Sequence, residues 1–172
     1  MDRQIIIING KGGVGKDTLI TAVSKVYKVG NYSSITPIKN AAECLGWNPY
    51  EKGTTGRKFL SDLKRLSIEY NDYPTQCLLR ICQHFIDEGW LDVLFLHIRE
   101  PEEIKKLKAE VPECKTLLIR SSRIKGDLGN DSDDNVEDYD YDYVYYNDLP
   151  LEEAESDFLR FFTETFMEGE ST

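Results

Sequence analysis

Residues 5–18 read IIIINGKGGVGKDT, an apolar run followed at once by a glycine-rich loop. Ile5 to Ile8 are four β-branched residues in a row, which is typical of a central parallel strand buried on both faces. Apolar residues then recur at helical spacing, at Leu19, Ala22, Val23 and Val26. The stretch therefore predicts strand, loop and helix in succession, which is the opening of a βαβ unit.

The loop fits the phosphate-binding pattern G-x-x-x-x-G-K from Gly10 to Lys16. Its glycines let the backbone curl so that successive N–H groups point at phosphate oxygens, and the next helix offers its positive end. Lys16 would neutralise charge on the terminal phosphate. A turn that merely links strand to helix is the alternative, and the flanking elements argue against it. We predict an ATP-binding loop made by Lys11, Gly12, Gly13, Val14, Gly15, Lys16, Asp17 and Thr18.

Asp17 stands where the pattern usually has Ser or Thr. A carboxylate among phosphates repels them unless a cation lies between. The strand-end acid that usually helps to hold the metal is missing as well, because the predicted strand 91–96 runs into His97, Ile98 and Arg99. We hypothesise that Asp17 replaces it and holds Mg²⁺ directly or through water. The alternative is a first-turn helix residue favoured by the helix dipole.

The rest of the chain alternates short apolar runs with amphipathic stretches. Strands are predicted at residues 33–38, 91–96, 115–119 and 143–146. Helices are predicted at residues 41–45, 57–70, from Pro74 to Gly89, at 101–109 and from Leu151 to Phe162, the last with Asn147 or Asp148 at its cap. This order implies one α/β domain over residues 1–172, a doubly wound parallel sheet with ligands at the carboxyl ends of its strands.

The amino-acid composition disfavours several classes of function. Lys and Arg number 21 against 31 Asp and Glu, a net charge of −10 that disfavours nucleic acid and anionic membranes as partners. No stretch approaches the length of a membrane span, and the N-terminus shows no targeting pattern. The four cysteines lack metal-ligand spacing, so we interpret them as buried thiols in a reducing cytosol and expect a cytoplasmic protein.

Eight acidic residues with no Lys or Arg between them lie within residues 127–142. Such a run is usually a loop that self-repulsion keeps extended in solvent. A mobile flap over an active site is the other interpretation.

Several short blocks resemble the deoxynucleoside monophosphate kinases of bacteriophages: GKDT at 15–18, SSITPIK at 33–39, GRKFL at 56–60 and IREPEE at 98–103. Animal phosphomevalonate kinases are similar in outline. The block YVYYNDLPLEE at 143–153 is similar to the last strand and helix of this superfamily, dephospho-coenzyme A kinases included. The resemblance implies a P-loop, nucleoside monophosphate kinase-like fold, with an acceptor-binding region at 31–75 and an acidic lid-like segment at 120–142.

The resemblance also implies where an acceptor would bind, namely between the loop near Lys39, the helix starting at Arg57, and Arg99. Fixed cations suit this role because an acceptor monophosphate must be held in line with the γ-phosphoryl group, and arginine offers a bidentate fork. Ordinary surface cations are the alternative interpretation, which we favour for Lys58, Lys64 and Arg65.

Kinases of this kind carry a lid whose arginines close over the transferring phosphate, and Arg120 and Arg123 lie just before the acidic segment. Pairing of these arginines with Asp127 or Asp131 is an equal alternative. We predict Lys16 as a catalytic residue of the loop and, on the lid interpretation, Arg120 and Arg123 as catalytic residues as well.

The expected activity is transfer of the γ-phosphoryl group of ATP, with Mg²⁺, to a small phosphorylated acceptor, foremost a (deoxy)nucleoside monophosphate. A second resemblance is to partition and division-site ATPases, through KGGVGK at 11–16, where the early lysine, here Lys11, reaches across a homodimer. A protein that binds nucleotide without transfer is the third alternative.

Overall fold

Five parallel strands form one sheet in the computed structural model, which describes residues 3–50, 53–124 and 135–168. In the order β2-β3-β1-β4-β5, the strands span Val29–Ser33, Val93–His97, Gln4–Asn9, Lys115–Arg120 and Tyr143–Tyr146. The helices α1 to α6 span Lys16–Ser24, Thr36–Cys44, Thr54–Asn71, Tyr73–Glu88, Pro101–Glu110 and Leu151–Phe162. A 3-10 turn at Asn135–Asp138 precedes β5, and a π-helical turn at Thr163–Met167 follows α6. The predicted α/β fold with a parallel sheet is confirmed.

Strand β1 lies at the centre, and all six of its residues are buried. Its alternate side chains enter two separate cores, since successive residues of a strand point to opposite faces. Ile6 and Ile8 pack with residues of α1 and α6, whereas Ile5 and Ile7 pack with residues of α4 and α5. Helices therefore cover both faces, which explains why the strand reads as an unbroken apolar run.

The prediction of a second strand at residues 33–38 is wrong. Strand β2 ends at Ser33, and α2 begins at Thr36 with Pro37 in its first turn. β-branched residues suggested a strand here, but proline has no N–H to lose at the start of a helix and its fixed φ suits that position. Ile38 and Ala42, one helical turn apart, are both buried, so tertiary burial follows the helical period.

The predicted caps of α6 are also wrong, because Pro150 precedes its first residue. Asn147 is instead buried and donates from Nδ2 to the Val14 carbonyl oxygen over 2.8 Å. The Asp148 carboxylate accepts from the backbone N–H of Ser122 over 2.6 Å. Both side chains therefore tie the end of β5 to neighbouring loops rather than starting a helix.

Helix α3 is a surface helix in which no residue is buried. The apolar face predicted for it is only partly covered, since Phe59 is 36% exposed and Leu66 53% exposed. Its main contacts are with α2 and α4. Ordinary hydrophobic burial thus contributes less to its position than to that of α1 or α4.

The four cysteines differ in burial. All four cysteines are free; Cys82 and Cys114 are buried, but Cys44 is exposed at the end of α2, so the prediction that all four are buried is wrong. Among the helices of the described ranges, none combines the length and the apolarity needed to cross a bilayer.

Candidate active site

The site lies where the chain leaves two neighbouring strands in opposite directions. Strands β1 and β3 pair in parallel. Helix α1, which follows β1, packs on one face of the sheet, and α5, which follows β3, packs on the other. In open α/β sheets this divergence leaves a crevice at the carboxyl ends of the two strands, where ligands bind. The glycine-rich loop, residues 10–18 (the P-loop below), and Arg99 meet there.

The backbone of the P-loop adopts conformations that require glycine at two positions. Gly10 has φ +148° and Gly15 has φ +90°, values that other residues rarely adopt. A Cβ atom on Gly10 would lie 2.5 Å from the Ile119 carbonyl oxygen, and one on Gly15 would lie 2.6 Å from Nδ2 of Asn147. The loop is therefore packed against β4 on one side and against the end of β5 on the other.

Asn9, at the end of β1, connects three parts of the site. Its side chain is buried, and its Oδ1 accepts the backbone N–H of Gly10 over 2.9 Å. Its Nδ2 donates to the carbonyl oxygen of Arg99 over 3.2 Å and to the Tyr141 hydroxyl over 2.7 Å. Tyr141 in turn donates to the carbonyl oxygen of Val136 over 2.9 Å. One amide thus links the start of the P-loop, the end of β3 and the 3-10 turn.

Lys16 opens α1, and its ammonium donates to the carbonyl oxygens of Gly10, over 2.5 Å, and Lys11, over 3.1 Å. The lysine therefore folds back over its own loop. Asp17 is exposed in the same first helical turn and lines the crevice beside Lys16.

His97, the last residue of β3, faces the same crevice. Its Nε2 lies 2.7 Å from Oδ1 of Asn31 on the neighbouring strand. Burial lowers the pKa of the His97 imidazole below its ordinary value of 6.5, and the negative charge of Asp17 opposes part of that shift. The imidazole therefore adds a neutral polar group, not a charge, to the site at neutral pH.

A cleft of about 650 Å³ occupies the crevice; we call it the first cleft. Its charged lining residues are the cations Lys16, Lys39, Lys64 and Arg99 and the acids Asp17 and Glu100. Hydroxyl groups line it as well, from Tyr32, Ser33, Ser34 and Thr36. With His97 neutral, cations outnumber acids two to one, although the whole chain carries −10. The cleft is a local positive region in an acidic protein, and such a region favours anions.

The structure brings together Lys16, Asp17, Lys39 and Arg99 of the predicted site, all on the lining of the first cleft. Arg57 is exposed in the first turn of α3 and lies outside the set of described residues that line the cleft. Its predicted contact with an acceptor stays a prediction.

A second, smaller cleft of about 330 Å³ lies between the P-loop and the ends of β4 and β5. Lys11 and Val14 of the P-loop line it, together with Arg120, Ser121, Ser122, Ile124, Glu137, Tyr146 and Asp148, among others. The P-loop is therefore flanked by two clefts, the first rich in cations and the second mixed in character.

Of the two predicted lid arginines, Arg120 lines the second cleft and Arg123 follows it three residues later. Arg120 pairs with Glu137 and donates from Nη1 to the Tyr146 hydroxyl over 3.3 Å, and these bonds raise the pKa of its guanidinium. Arg123 donates from Nη2 to the Asn147 carbonyl oxygen over 2.9 Å. The alternative partners Asp127 and Asp131 lie outside the described residues. A catalytic role for Arg120 and Arg123 stays a prediction.

Sequence reasoning gave Lys64 too little weight. The sequence favours an ordinary surface cation, yet the Lys64 side chain is only 15% exposed and lines the first cleft. Its Nζ lies 2.8 Å from Oε1 of Glu103 in α5. A lysine on the polar face of an amphipathic helix carries no signal that distinguishes it from its neighbours. Only the packing of α3 beside the start of α5 shows the difference.

Metal ligands are sparse. In the described part of the chain, no three His, Cys, Asp or Glu side chains are grouped so that they could hold an ion. Mg²⁺ does not require such a group, because it keeps several waters and is often bound by one or two carboxylates together with substrate phosphates. Asp17, beside Lys16 at the start of α1, is a carboxylate of this kind.

Comparison with known proteins gives a match in fold. No protein-family model matches the chain, and neither does any curated protein sequence. Among solved structures, a sugar kinase from a Janibacter species is similar with a TM-score of 0.54 and 13% identity, covering 95% of this chain and 94% of that one. The tunicamycin resistance protein of Deinococcus radiodurans is similar with a TM-score of 0.56 and 12% identity, covering 92% and 94%. The chain therefore shares the α/β fold of these two proteins.

Proposed function

We propose that this protein is an ATP-dependent kinase that transfers the γ-phosphoryl group to a small phosphorylated acceptor, foremost a (deoxy)nucleoside monophosphate. The observation that carries the proposal is the position of the first cleft. A cation-lined cleft begins at Lys16, the residue of the P-loop that would contact the terminal phosphate, and extends to Lys39 and Arg99. A second anion placed there would lie next to the group to be transferred.

The P-loop supports the donor part of the proposal. Its backbone N–H groups and the positive end of α1 would cradle the phosphates, and the Lys16 ammonium would exchange carbonyl oxygens of its own loop for phosphate oxygens. The second cleft, on the other side of the loop, would take the nucleoside part of ATP. Donor and acceptor would then approach Lys16 from opposite sides.

The charge of the first cleft supports a phosphorylated acceptor. A phosphate oxygen is already ionised at neutral pH, so it attacks without a general base, and fixed cations are what it needs. Lys39 and Arg99 would hold the acceptor phosphate from the α2 side and the β3 side of the cleft. Asn31, Tyr32, Lys39 and Lys64 of the lining lie within the predicted acceptor-binding region 31–75.

Asp17 would hold Mg²⁺ together with the phosphates of ATP, and the ion would neutralise charge on the transferring group.

The protein's own contribution is positioning. Asn9 fixes the P-loop relative to Arg99 through hydrogen bonds of 2.9 and 3.2 Å, so the donor and acceptor sites keep their separation. Arg120, which lines the second cleft, and Arg123 would close over the phosphates as part of the predicted lid-like segment 120–142, of which residues 125–134 lie outside the described residues.

A substrate panel tests the proposal. The protein is incubated with ATP and Mg²⁺ and with each common ribo- and deoxynucleoside monophosphate, or with small phosphorylated metabolites, and the diphosphate product is detected directly. We expect ADP to form at a rate that rises strongly with one class of monophosphate. ADP that forms equally without any acceptor would contradict the proposal.

The Lys11→Ala variant separates a kinase from the dimeric switch that resembles partition ATPases. A kinase should keep much of its transfer activity, with at most a raised KM for ATP, because Lys11 lines the second cleft whereas Lys16 is the residue proposed to contact the terminal phosphate. The switch should lose ATP-dependent dimerisation, measured by light scattering. Binding of ATP with neither transfer nor dimerisation would leave the third alternative, a nucleotide-binding protein.

A further inference from the structure

Lys64 differs from the other cations of α3. Its side chain is 15% exposed, whereas that of Lys58, less than two turns away on the same helix, is 76% exposed. Lys58 pairs with Asp62 on its own helix. Lys64 reaches across to the start of α5, where its Nζ lies 2.8 Å from Oε1 of Glu103 and 3.8 Å from Oε1 of Glu100. Its side chain forms part of the wall of the first cleft.

Glu103 is the unusual partner. Its side chain is 5% exposed, and both carboxylate oxygens are buried. Neither oxygen accepts a well-aligned hydrogen bond from the described residues, so the Lys64 ammonium is the compensating charge that the structure shows. Glu103 lies in the first turn of α5, where the helix dipole also favours a negative charge.

Stability alone gives no reason for such a pair. Removing two charges from water costs several kcal/mol per ion, and apolar residues of similar size in place of a buried pair are often neutral or stabilising. The pair does have one consequence for the site, because it fixes a flexible four-carbon side chain so that its ammonium stays at the cleft wall. A lysine held this way is charged and ordered before any ligand arrives.

We propose that Lys64 binds the anionic group of the acceptor in the first cleft, and that Glu103 is a positioning residue that holds the Lys64 ammonium there. This inference rests on the proposed function and deepens it. The ligand is a phosphate monoester, held by Lys64 of α3, Lys39 of α2 and Arg99 after β3.

The Lys64 ammonium can exchange its contact with Glu100 for a contact with a ligand. An ammonium has three donors, and Glu103 holds the Lys64 ammonium by charge at 2.8 Å without a well-aligned hydrogen bond. Glu100 is the more distant acid, at 3.8 Å, and its side chain is 34% exposed. A phosphate that enters the cleft can displace this weak contact while the shorter one to Glu103 remains. The acceptor thereby gains a cation without breaking the buried pair.

Three variants test the inference through the kinetics of the acceptor that gives the highest rate in the substrate panel. Lys64→Met removes the ammonium and leaves a buried carboxylate, so it can also destabilise the fold. The double variant Lys64→Met with Glu103→Gln removes both charges, leaves the net charge at its original value and avoids an unpaired buried acid. Lys58→Met is the matched control on the same helix.

We expect the double variant to fold, to keep its KM for ATP, and to raise the KM for the acceptor about 10-fold or more, since a charged hydrogen bond is lost. Glu103→Gln alone should raise the acceptor KM by less and leave the KM for ATP unchanged. Lys58→Met should leave the acceptor KM within about twofold, as for other exposed pairs. A folded double variant with an unchanged acceptor KM would overturn the inference.

Failure of the inference can be told apart from failure of the proposed function. If no monophosphate stimulates ADP formation by the wild-type protein, the proposed function fails. In that event calorimetry with AMP and with inorganic phosphate still tests Lys64: binding by the wild type that the double variant loses supports the inference, and equal binding by both overturns it.

Discussion

Different interactions hold the two walls of the first cleft in place. The P-loop is held by neutral buried amides, with Asn9 bonded to Gly10 and Asn147 bonded to Val14, and by glycines that leave no space for a Cβ. Helix α3, on the other side, has no buried residue, and Lys64 joins it to α5 through an ion pair. Close packing and hydrogen bonds hold the P-loop wall in place, whereas an ion pair positions the α3 wall.

Under the proposed function, this difference corresponds to two tasks. Phosphates of a nucleotide need N–H groups at fixed positions, so a preorganised loop suits them. An acceptor must enter, be clamped and leave as product, so a wall that contacts it through exposed or partly exposed cations suits that role.

Lys16→Ala should have the largest effect on activity. Lys16 is the cation of the packed wall that the account places against the transferring phosphate, and loss of one such contact lowers kcat about 10²- to 10³-fold in other enzymes. Lys25→Ala, which removes an exposed lysine paired with Glu155, should leave kcat unchanged. Steady-state kinetics of both variants make the comparison. Equal activity of Lys16→Ala and wild type would mean that the loop does not act in transfer.

Gly10→Ala should disrupt the packed wall itself. It combines a φ of +148° with a contact of 2.5 Å to the backbone of β4, so β1 or β4 must shift and ATP binding should be lost. Gly46→Ala is the control, because φ there is +88° but no atom lies within 4 Å of the new Cβ. Backbone strain alone should then cost about 1 kcal/mol. Urea unfolding and ATP titration of both variants separate strain from steric clash.

Asn9→Ala should weaken donor and acceptor binding together. Without the amide, the Gly10 N–H, the Arg99 carbonyl and the Tyr141 hydroxyl each lose their hydrogen bond to Asn9, at a cost of about 3 kcal/mol in the free energy of unfolding. Tyr141→Phe removes one hydroxyl and should cost about 1 kcal/mol. The KM values for ATP and acceptor, measured at a temperature where both variants are folded, should rise in parallel for Asn9→Ala. A rise in only one of them would contradict the linking role.

His97, at the end of β3 in the first cleft, should give the smallest effect, through pH. Because burial lowers its pKa below 6.5, the unfolded chain binds its proton more readily as the pH falls through that value. The free energy of unfolding should therefore decrease on acidification, and His97→Gln should lose less stability than the wild type between about pH 7.5 and pH 5.5. Urea titrations at the two pH values measure the difference, and identical losses would contradict it.

The fold was accessible from the sequence because its strongest signals are local. The apolar run of β1, the glycines of the P-loop and the helical spacing in α4 each identify an element without knowledge of the rest. The boundary between β2 and α2 was missed because β-branched residues there favour a strand, whereas Pro37 starts a helix that buries Ile38.

The sequence predicts only part of the candidate site, because only part of it has local sequence signals. Lys16 and Arg99 follow strands whose carboxyl ends must meet, so their common position on the first cleft could be predicted. The pairing of Lys64 with Glu103 depends on how α3 packs beside α5, and no local pattern encodes that. Asn9 and Asn147 likewise became informative only when their hydrogen bonds across the sheet were known.

Transfer of label from ATP tests the central claim most directly. The protein is mixed with Mg²⁺, ATP that carries ³²P at its γ position, and each nucleoside monophosphate in turn, and the labelled products are separated. We expect the label to move to the β position of a nucleoside diphosphate, and Lys16→Ala to slow this transfer about 10²- to 10³-fold. Label that appears only as inorganic phosphate, at a rate that no acceptor changes, would contradict it.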